Sequence, residues 1–179
     1  KHSVLFLSLE MKGWELASRM FCEMMEVEFQ SFTRAGITSE ITTKDETFKE
    51  FIKGIDFEIY EYGYSFGEVE KIISDAYTKK KPDMIVLDFI QMVEWKNFGE
   101  ERLALMEYIR KLKELAKKFN ICVMVVSQLR RLPSGADYQR PPDITDLMGS
   151  GSIEATADKV LLLYKKISNE GEQHFINIA

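Results

Sequence analysis

Three short apolar runs punctuate the chain, from Ser3 to Leu9, from Met84 to Leu87 and from Ile121 to Val126. Each is rich in Val, Ile, Leu, Met or Phe and shows almost no alternation of apolar with polar positions. Strands covered on both faces of a parallel sheet have this pattern, because neither side meets water. Between the runs the apolar residues recur at helical spacing: Trp14, Ala17, Phe21 and Met24; Phe66, Val69, Ile73 and Tyr77; Met106, Ile109, Leu112, Leu115 and Phe119. Steps of three and four line each set along one side of a helix. The third helix also carries Glu107 with Lys111 and Glu114 with Lys118, acid first at i, i+4, which predicts a solvated outer face. Phe57 to Tyr60 and Lys159 to Tyr164 add two strands, and Gln173 to Ile178 a sixth. Strands alternating with helices over this length predict an α/β fold with an open, mainly parallel sheet and right-handed crossovers.

Two segments break the pattern. Arg130 to Pro142 holds Pro133, Gly135, Pro141 and Pro142 among polar residues, which predicts a long surface loop of the kind that is usually functional. Met148-Gly149-Ser150-Gly151-Ser152 is a second flexible point, where backbone can come close to a ligand.

Composition narrows the classes. With 179 residues and 45% hydrophobic content, the chain suits one domain spanning 1–179 with a substantial core. A charged fraction of 30% and only four prolines argue against disorder. No apolar run approaches the roughly 20 residues that cross a bilayer, and no basic region followed by an apolar core begins the chain. The expectation is a soluble protein. Cys22 and Cys122 are isolated thiols on apolar segments, with no CxxC and only His2 and His174 as other soft ligands. That favours packing in the interior over metal or disulfide chemistry and fits a reducing cytoplasm. The net charge of −5 does not advertise nucleic-acid binding. Screening over about 8 Å at physiological salt nevertheless lets a local basic groove act independently of the total.

Each of the three main runs ends in polar residues: Glu10 after Leu9, Asp88 after Leu87, and Ser127 with Gln128 after Val126. Ligands of open parallel sheets bind off the carboxyl ends of the strands, so these side chains are expected to converge. Taken singly, each has an ordinary reading. An Asp at a strand end also forms turns or caps helices, Glu10 also suits the start of a helix, and Gln128 also suits bonding to loop backbone. Together, two acids and an amide can ligate a nucleotide-bound metal, activate water and sense a phosphate, the polar set for phosphoanhydride hydrolysis. The part that grips phosphates is not among them. No GxxxxGK[ST] occurs, and Gly149-Ser150-Gly151-Ser152 lacks the lysine.

Four segments carry a family resemblance: Leu7-Ser8-Leu9-Glu10-Met11; Val86-Leu87-Asp88-Phe89-Ile90-Gln91-Met92; Val126-Ser127-Gln128-Leu129-Arg130-Arg131; and Arg140-Pro141 through Asp146-Leu147-Met148-Gly149-Ser150-Gly151-Ser152-Ile153-Glu154 to Ala157-Asp158. In this order and spacing, with Ile109 to Asn120 as the helix before the third run, the chain resembles the DnaB-type hexameric replicative DNA helicases along nearly its whole length. The resemblance implies a RecA-like P-loop NTPase core, a mainly parallel sheet flanked by helices, of which 1–179 would be a partial ATPase domain. It places the phosphate-binding strand and loop before Lys1 and an arginine-finger hairpin just after Ala179, so the segment alone is expected to be inactive.

The implied function is ATP-dependent unwinding of duplex DNA at replication forks by a homohexameric ring that translocates on single-stranded DNA. ATP and Mg2+ are the implied nucleotide and metal, primase and a helicase loader the further partners, and the cytoplasm of a bacterial or phage-infected cell the location. By position, Glu10 matches the glutamate that activates water and Asp88 the Walker B acid that acts on magnesium. Gln128 matches the glutamine that senses the terminal phosphate. Gly149 to Gly151 matches a loop whose backbone contacts single-stranded DNA.

The chain also departs from the family pattern. Met148 stands where the family has arginine, and Gly149 where it has glutamate, which removes side chains from the DNA-facing position while leaving backbone amides. Arg130 replaces a common asparagine and returns a positive charge nearby. The alternative reading is a degenerate RecA-like module that joins a ring or loader without hydrolysing ATP.

Overall fold

Four strands lie side by side in parallel: β1 (Ser3–Ser8), β2 (Asp56–Glu61), β3 (Met84–Asp88) and β4 (Cys122–Val125). Their order across the sheet is β2-β1-β3-β4. The computed structural model describes residues 2–35, 46, 49–50, 53–54, 56–61, 64–94, 100–130, 140–168 and 171–179. The chain divides into two units, Lys1–Glu94 with Ile121–Val126, and Trp95–Asn120 with Ser127–Ala179.

The sheet belongs to the first unit. Its inner strands β1 and β3 bury Leu5, Leu7, Ile85, Val86 and Leu87, as expected for runs without alternation. The third run differs. β4 is an edge strand whose residues alternate between exposed and half-buried, with Met124 and Val126 about 40% exposed (42% and 40%). Cys122 is exposed for the same reason, so the expected interior role holds for Cys22 alone, whose thiol pKa burial raises.

Helix α1 (Gly13–Met24) follows β1, and α2 (Phe29–Ala35) returns beside it. The buried face of α1 is Gly13, Leu16, Phe21 and Cys22, not the face led by Trp14, which is 66% exposed. The reason lies in its partner. Phe21 and Cys22 pack with Met20, Met25, Val27, Phe29 and Phe32, and the Arg19 guanidinium lies 4.5 Å from the centre of the Phe29 ring. Helix α3 (Phe66–Lys79) starts where the Ser65 N–H donates to Glu68 Oε2 at 2.8 Å, the reciprocal bond of a capping box. It buries Phe66, Val69, Ile73 and Ala76, leaving Tyr77 at the surface.

In the second unit, α4 (Glu101–Phe119) buries Ala104, Leu105, Tyr108, Ile109, Leu112, Leu115 and Phe119, while Met106 is 50% exposed. On its outer face Arg110 takes both acids, Glu107 at 2.7 Å and Glu114. Asn120 ends the helix in the left-handed region at φ 50°. The short helix α5 (Ser150–Thr156) packs beside α4, and Lys113 pairs with Asp158 just beyond it.

The last two strands, β5 (Leu161–Ser168) and β6 (Gly171–Ile178), do not join the parallel sheet. They form their own antiparallel pair, from Leu161 opposite Ile178 to Ser168 opposite Gly171. Only two residues separate them, whereas a parallel connection needs a dozen or more. Tyr164 stacks on Phe175 across the pair, ring centres 5.2 Å apart. Among the described residues no helix is long and apolar enough to cross a membrane.

Candidate active site

Parallel registry brings the strand ends to one level. Ser8 at the end of β1 lies opposite Glu61 of β2 on one side and Asp88 of β3 on the other. Glu10, two residues beyond Ser8, and Asp88 therefore lie at the same end of the two inner strands. The same level also takes in two residues that the sequence reading leaves without a role, Ser8 and Glu61. A rule applied to the other runs would have found Glu61, since a carboxylate directly follows the Phe57 to Tyr60 run.

The backbone beyond β1 is held by its neighbours. The Leu9 N–H donates to the Asp88 carbonyl at 2.8 Å, which extends the pairing of β1 with β3 by one residue. The Ser8 hydroxyl, 1% exposed, donates to the Met11 carbonyl at 2.6 Å. The Gly13 N–H donates to Glu61 Oε1 at 2.8 Å. Glu10 thus projects, exposed, from a short turn fixed at both ends. On β3, the Asp88–Phe89 peptide bond is cis. Val126 continues the sheet past β4, its N–H donating to the Leu87 carbonyl at 2.9 Å and its carbonyl accepting the Ile90 N–H at 3.0 Å.

The half-buried carboxyl of Asp88 is held above its ordinary pKa, first by burial and then by the negative charge of Glu10. Glu10 and Asp88 thus place two carboxylates near one another at this end of the sheet, each disfavouring the other's charge. A divalent cation offsets that imbalance, and hard oxygen donors are the ligands magnesium takes. Among the described residues no group of three or more His, Cys, Asp and Glu forms a protein-only metal cage. The donor set thus fits a magnesium ion carried in with phosphate oxygens, with Asp88 as the residue that would hold it.

The other sequence candidates lie in the second unit. Gln128 accepts the Met148 N–H at 3.1 Å through its carbonyl, and the Arg130 N–H donates to the Asp146 carbonyl at 2.7 Å. Leu129 and Leu147 form the antiparallel bridge between these bonds, so Gln128 and Arg130 sit on a backbone tied to the stretch that leads to Met148. The Arg140 guanidinium grips the Asp146 carboxylate through two bonds, at 2.8 and 2.7 Å, and holds its pKa below the usual range. Residues 131–139 of the expected Arg130–Pro142 loop lie outside the described residues.

The Met148–Ser152 segment leads into a short helix. Gly149 caps α5 at φ 75°, in the left-handed region, and a Cβ there would run into Leu105 Cδ2. Gly151 falls inside the first turn of that helix with open space around it. Gly149 is therefore a glycine because the fold demands it. Gly151 has no such internal reason.

With this geometry in place, the chain can be set beside known proteins. It is 28% identical over 175 residues to the replicative DNA helicase DnaB of Mycoplasma genitalium, covering 95% of this chain and 37% of that protein. Among solved structures it matches one described as an ATPase domain with a TM-score of 0.79 at 25% identity, covering 91% of this chain and 59% of that one. A DnaB-like replicative helicase, whose structure is described with its interactions with primase, matches with a TM-score of 0.80 at 21% identity, covering 99% and 48% respectively. The chain spans little more than a third of the length of the first curated relatives it matches, and its sheet is that of a RecA-like ATPase core. The family model described as the DnaB-like helicase C terminal domain matches residues 1–178, and the chain belongs to that family.

Proposed function

We propose that this chain is the acidic half of an ATP-hydrolysing motor, part of a replicative helicase that moves on single-stranded DNA as a homohexameric ring. The observation that carries this reading is the Glu10 and Asp88 pair, set at the carboxyl ends of the two inner strands in a chain of the DnaB-like family. Glu10 is the general base: exposed at the tip of its turn, it takes a proton from the water that attacks the terminal phosphate of ATP. Asp88 is the magnesium residue. Magnesium bound with the nucleotide supplies positive charge against the charge that develops on the phosphate oxygens. Gln128 senses the terminal phosphate, and its backbone tie to Met148 offers a route from that event to the DNA-facing stretch. Arg130, Met148, Gly149 and Gly151 form that stretch, with Gly151 free of side-chain bulk where nucleic-acid backbone approaches. Primase and a helicase loader are the further partners.

The test is Glu10→Gln in the full-length protein. The amide keeps the shape but cannot accept a proton, so turnover should fall by about 10²- to 10⁴-fold while nucleotide affinity changes little. Steady-state ATP hydrolysis and nucleotide titration read both quantities. Near-normal turnover would take Glu10 out of the chemistry.

A further inference from the structure

We infer that Glu61 is a positioning residue for Glu10, an inference that rests on the reading of Glu10 as the water-activating carboxylate. Only three residues, Glu10, Met11 and Lys12, separate Leu9 from Gly13. Leu9 is fixed by the Asp88 carbonyl at 2.8 Å, and Gly13 by Glu61 Oε1 at 2.8 Å. The Ser8 hydroxyl holds the middle of the turn through the Met11 carbonyl at 2.6 Å. Two of these anchors come from the inner strands that carry the acids. The third comes from β2 and ties the first residue of α1 to the sheet.

The contact is built on both sides. A carboxylate accepting the first N–H of a helix forms a charge-assisted bond and meets the positive end of the helix dipole. Lys12 provides the carbonyl for the first turn, accepting the Glu15 and Leu16 N–H groups at 3.0 and 3.1 Å, so α1 starts directly after the turn that bears Glu10. Gly13 is buried, and a Cβ on it would come too close to Glu61 Oε1 for the carboxylate to stay where it is. Its φ lies outside the left-handed region, so backbone conformation does not require glycine there. Room for the Glu61 carboxylate does.

Releasing Glu61 leaves the turn anchored from one side. The Glu10 carboxylate then samples positions away from the attacking water, and displacement by about 1 Å at a reacting group can cost as much as 10²-fold in rate. Nucleotide binding does not depend on this anchor, so the loss falls on kcat and not on KM. Gln at 61 keeps an oxygen that accepts the Gly13 N–H, whereas Ala does not.

The experiment is steady-state ATP hydrolysis by the full-length protein carrying Glu61→Ala, Glu61→Gln, Gly13→Ala, Glu10→Gln, or Glu10→Gln with Glu61→Ala. Glu61→Ala should lower kcat by about 10- to 100-fold with KM for ATP within about threefold, and Glu61→Gln should stay within about threefold of wild type. Gly13→Ala should follow Glu61→Ala, because the added methyl displaces only the far end of a flexible side chain. It carries the test if Glu61→Ala fails to fold. Adding Glu61→Ala to Glu10→Gln should cost nothing further, since the anchor acts through Glu10. Equal loss in Glu61→Gln and Glu61→Ala, a rise in KM without loss of kcat, or an additive double variant each overturns the inference. Inactive Glu10→Gln beside fully active Glu61→Ala and Gly13→Ala defeats the positioning role alone. Normal turnover in Glu10→Gln defeats the reading of Glu10 itself.

Discussion

In the nucleotide-free protein the Asp88 carboxyl opposes folding at neutral pH. Burial and the charge of Glu10 raise its pKa, so the folded chain keeps the proton to higher pH than the unfolded chain does. Its contribution to stability is full at low pH and is lost as pH rises from the ordinary carboxylate range through the raised value. Asp88→Asn removes this titration. Without nucleotide or magnesium, the variant should melt above wild type at neutral pH, and the gap should close as the solution is acidified below about pH 4, the ordinary carboxylate value. Melting curves across that range check it, and an Asn variant that melts lower at neutral pH would contradict it. The same substitution removes the proposed magnesium residue, so stability and activity should move in opposite directions. Glu10 and Asp88 were legible in the sequence because each directly follows an apolar run whose strand ends at the ligand side of a parallel sheet. Ser8 and Glu61 were less so, because their roles are bonds to backbone that is distant or differently oriented until the strands align.

At the scale of elements, run length located the strands and spacing located the three longer helices, but not the short α2 and α5, whose seven residues are too few to show a helical period. Neither signal fixed which neighbour each element would meet. The α1 face is an example: spacing lines up Trp14, Ala17, Phe21 and Met24, yet of these only Phe21 is buried, beside Cys22, where α2 covers them. The C-terminal hairpin is another. Lys165, Lys166 and Glu172 interrupt the apolar pattern, so the sequence ends one strand at Tyr164, begins the next at Gln173, and conceals a two-residue connection. In the structure Lys165 pairs with Glu172 across the hairpin at 3.1 Å, and those polar positions are part of the ladder. One face of this hairpin presents Leu161 and Leu163 beside Ile178 and Ile176, all exposed. An apolar face of this kind promotes association. Replacing the cross-strand pair Leu163 and Ile176 with Thr puts a polar, β-branched, strand-favouring residue on both strands. In this 179-residue chain the double variant should bind less apolar dye and melt within about 4 °C of the parent, the shift expected of about 1 kcal/mol or less. Loss of cooperative melting would mean that these side chains are interior in solution.

For the whole molecule, membership of the DnaB-like family establishes what kind of domain this is, and the chain covers little more than a third of its curated relatives. The motor reading therefore has to be tested on the full-length protein. The most direct measurement is strand displacement from a forked DNA duplex, made with and without ATP and magnesium, for wild type and Asp88→Asn at one stated salt concentration. Wild type should unwind only when both ATP and magnesium are present, and Asp88→Asn should bind single-stranded DNA with near-normal affinity yet displace no strand. Wild-type protein that assembles and binds single-stranded DNA but unwinds nothing with ATP and magnesium present would contradict the account and point to a non-hydrolysing module instead.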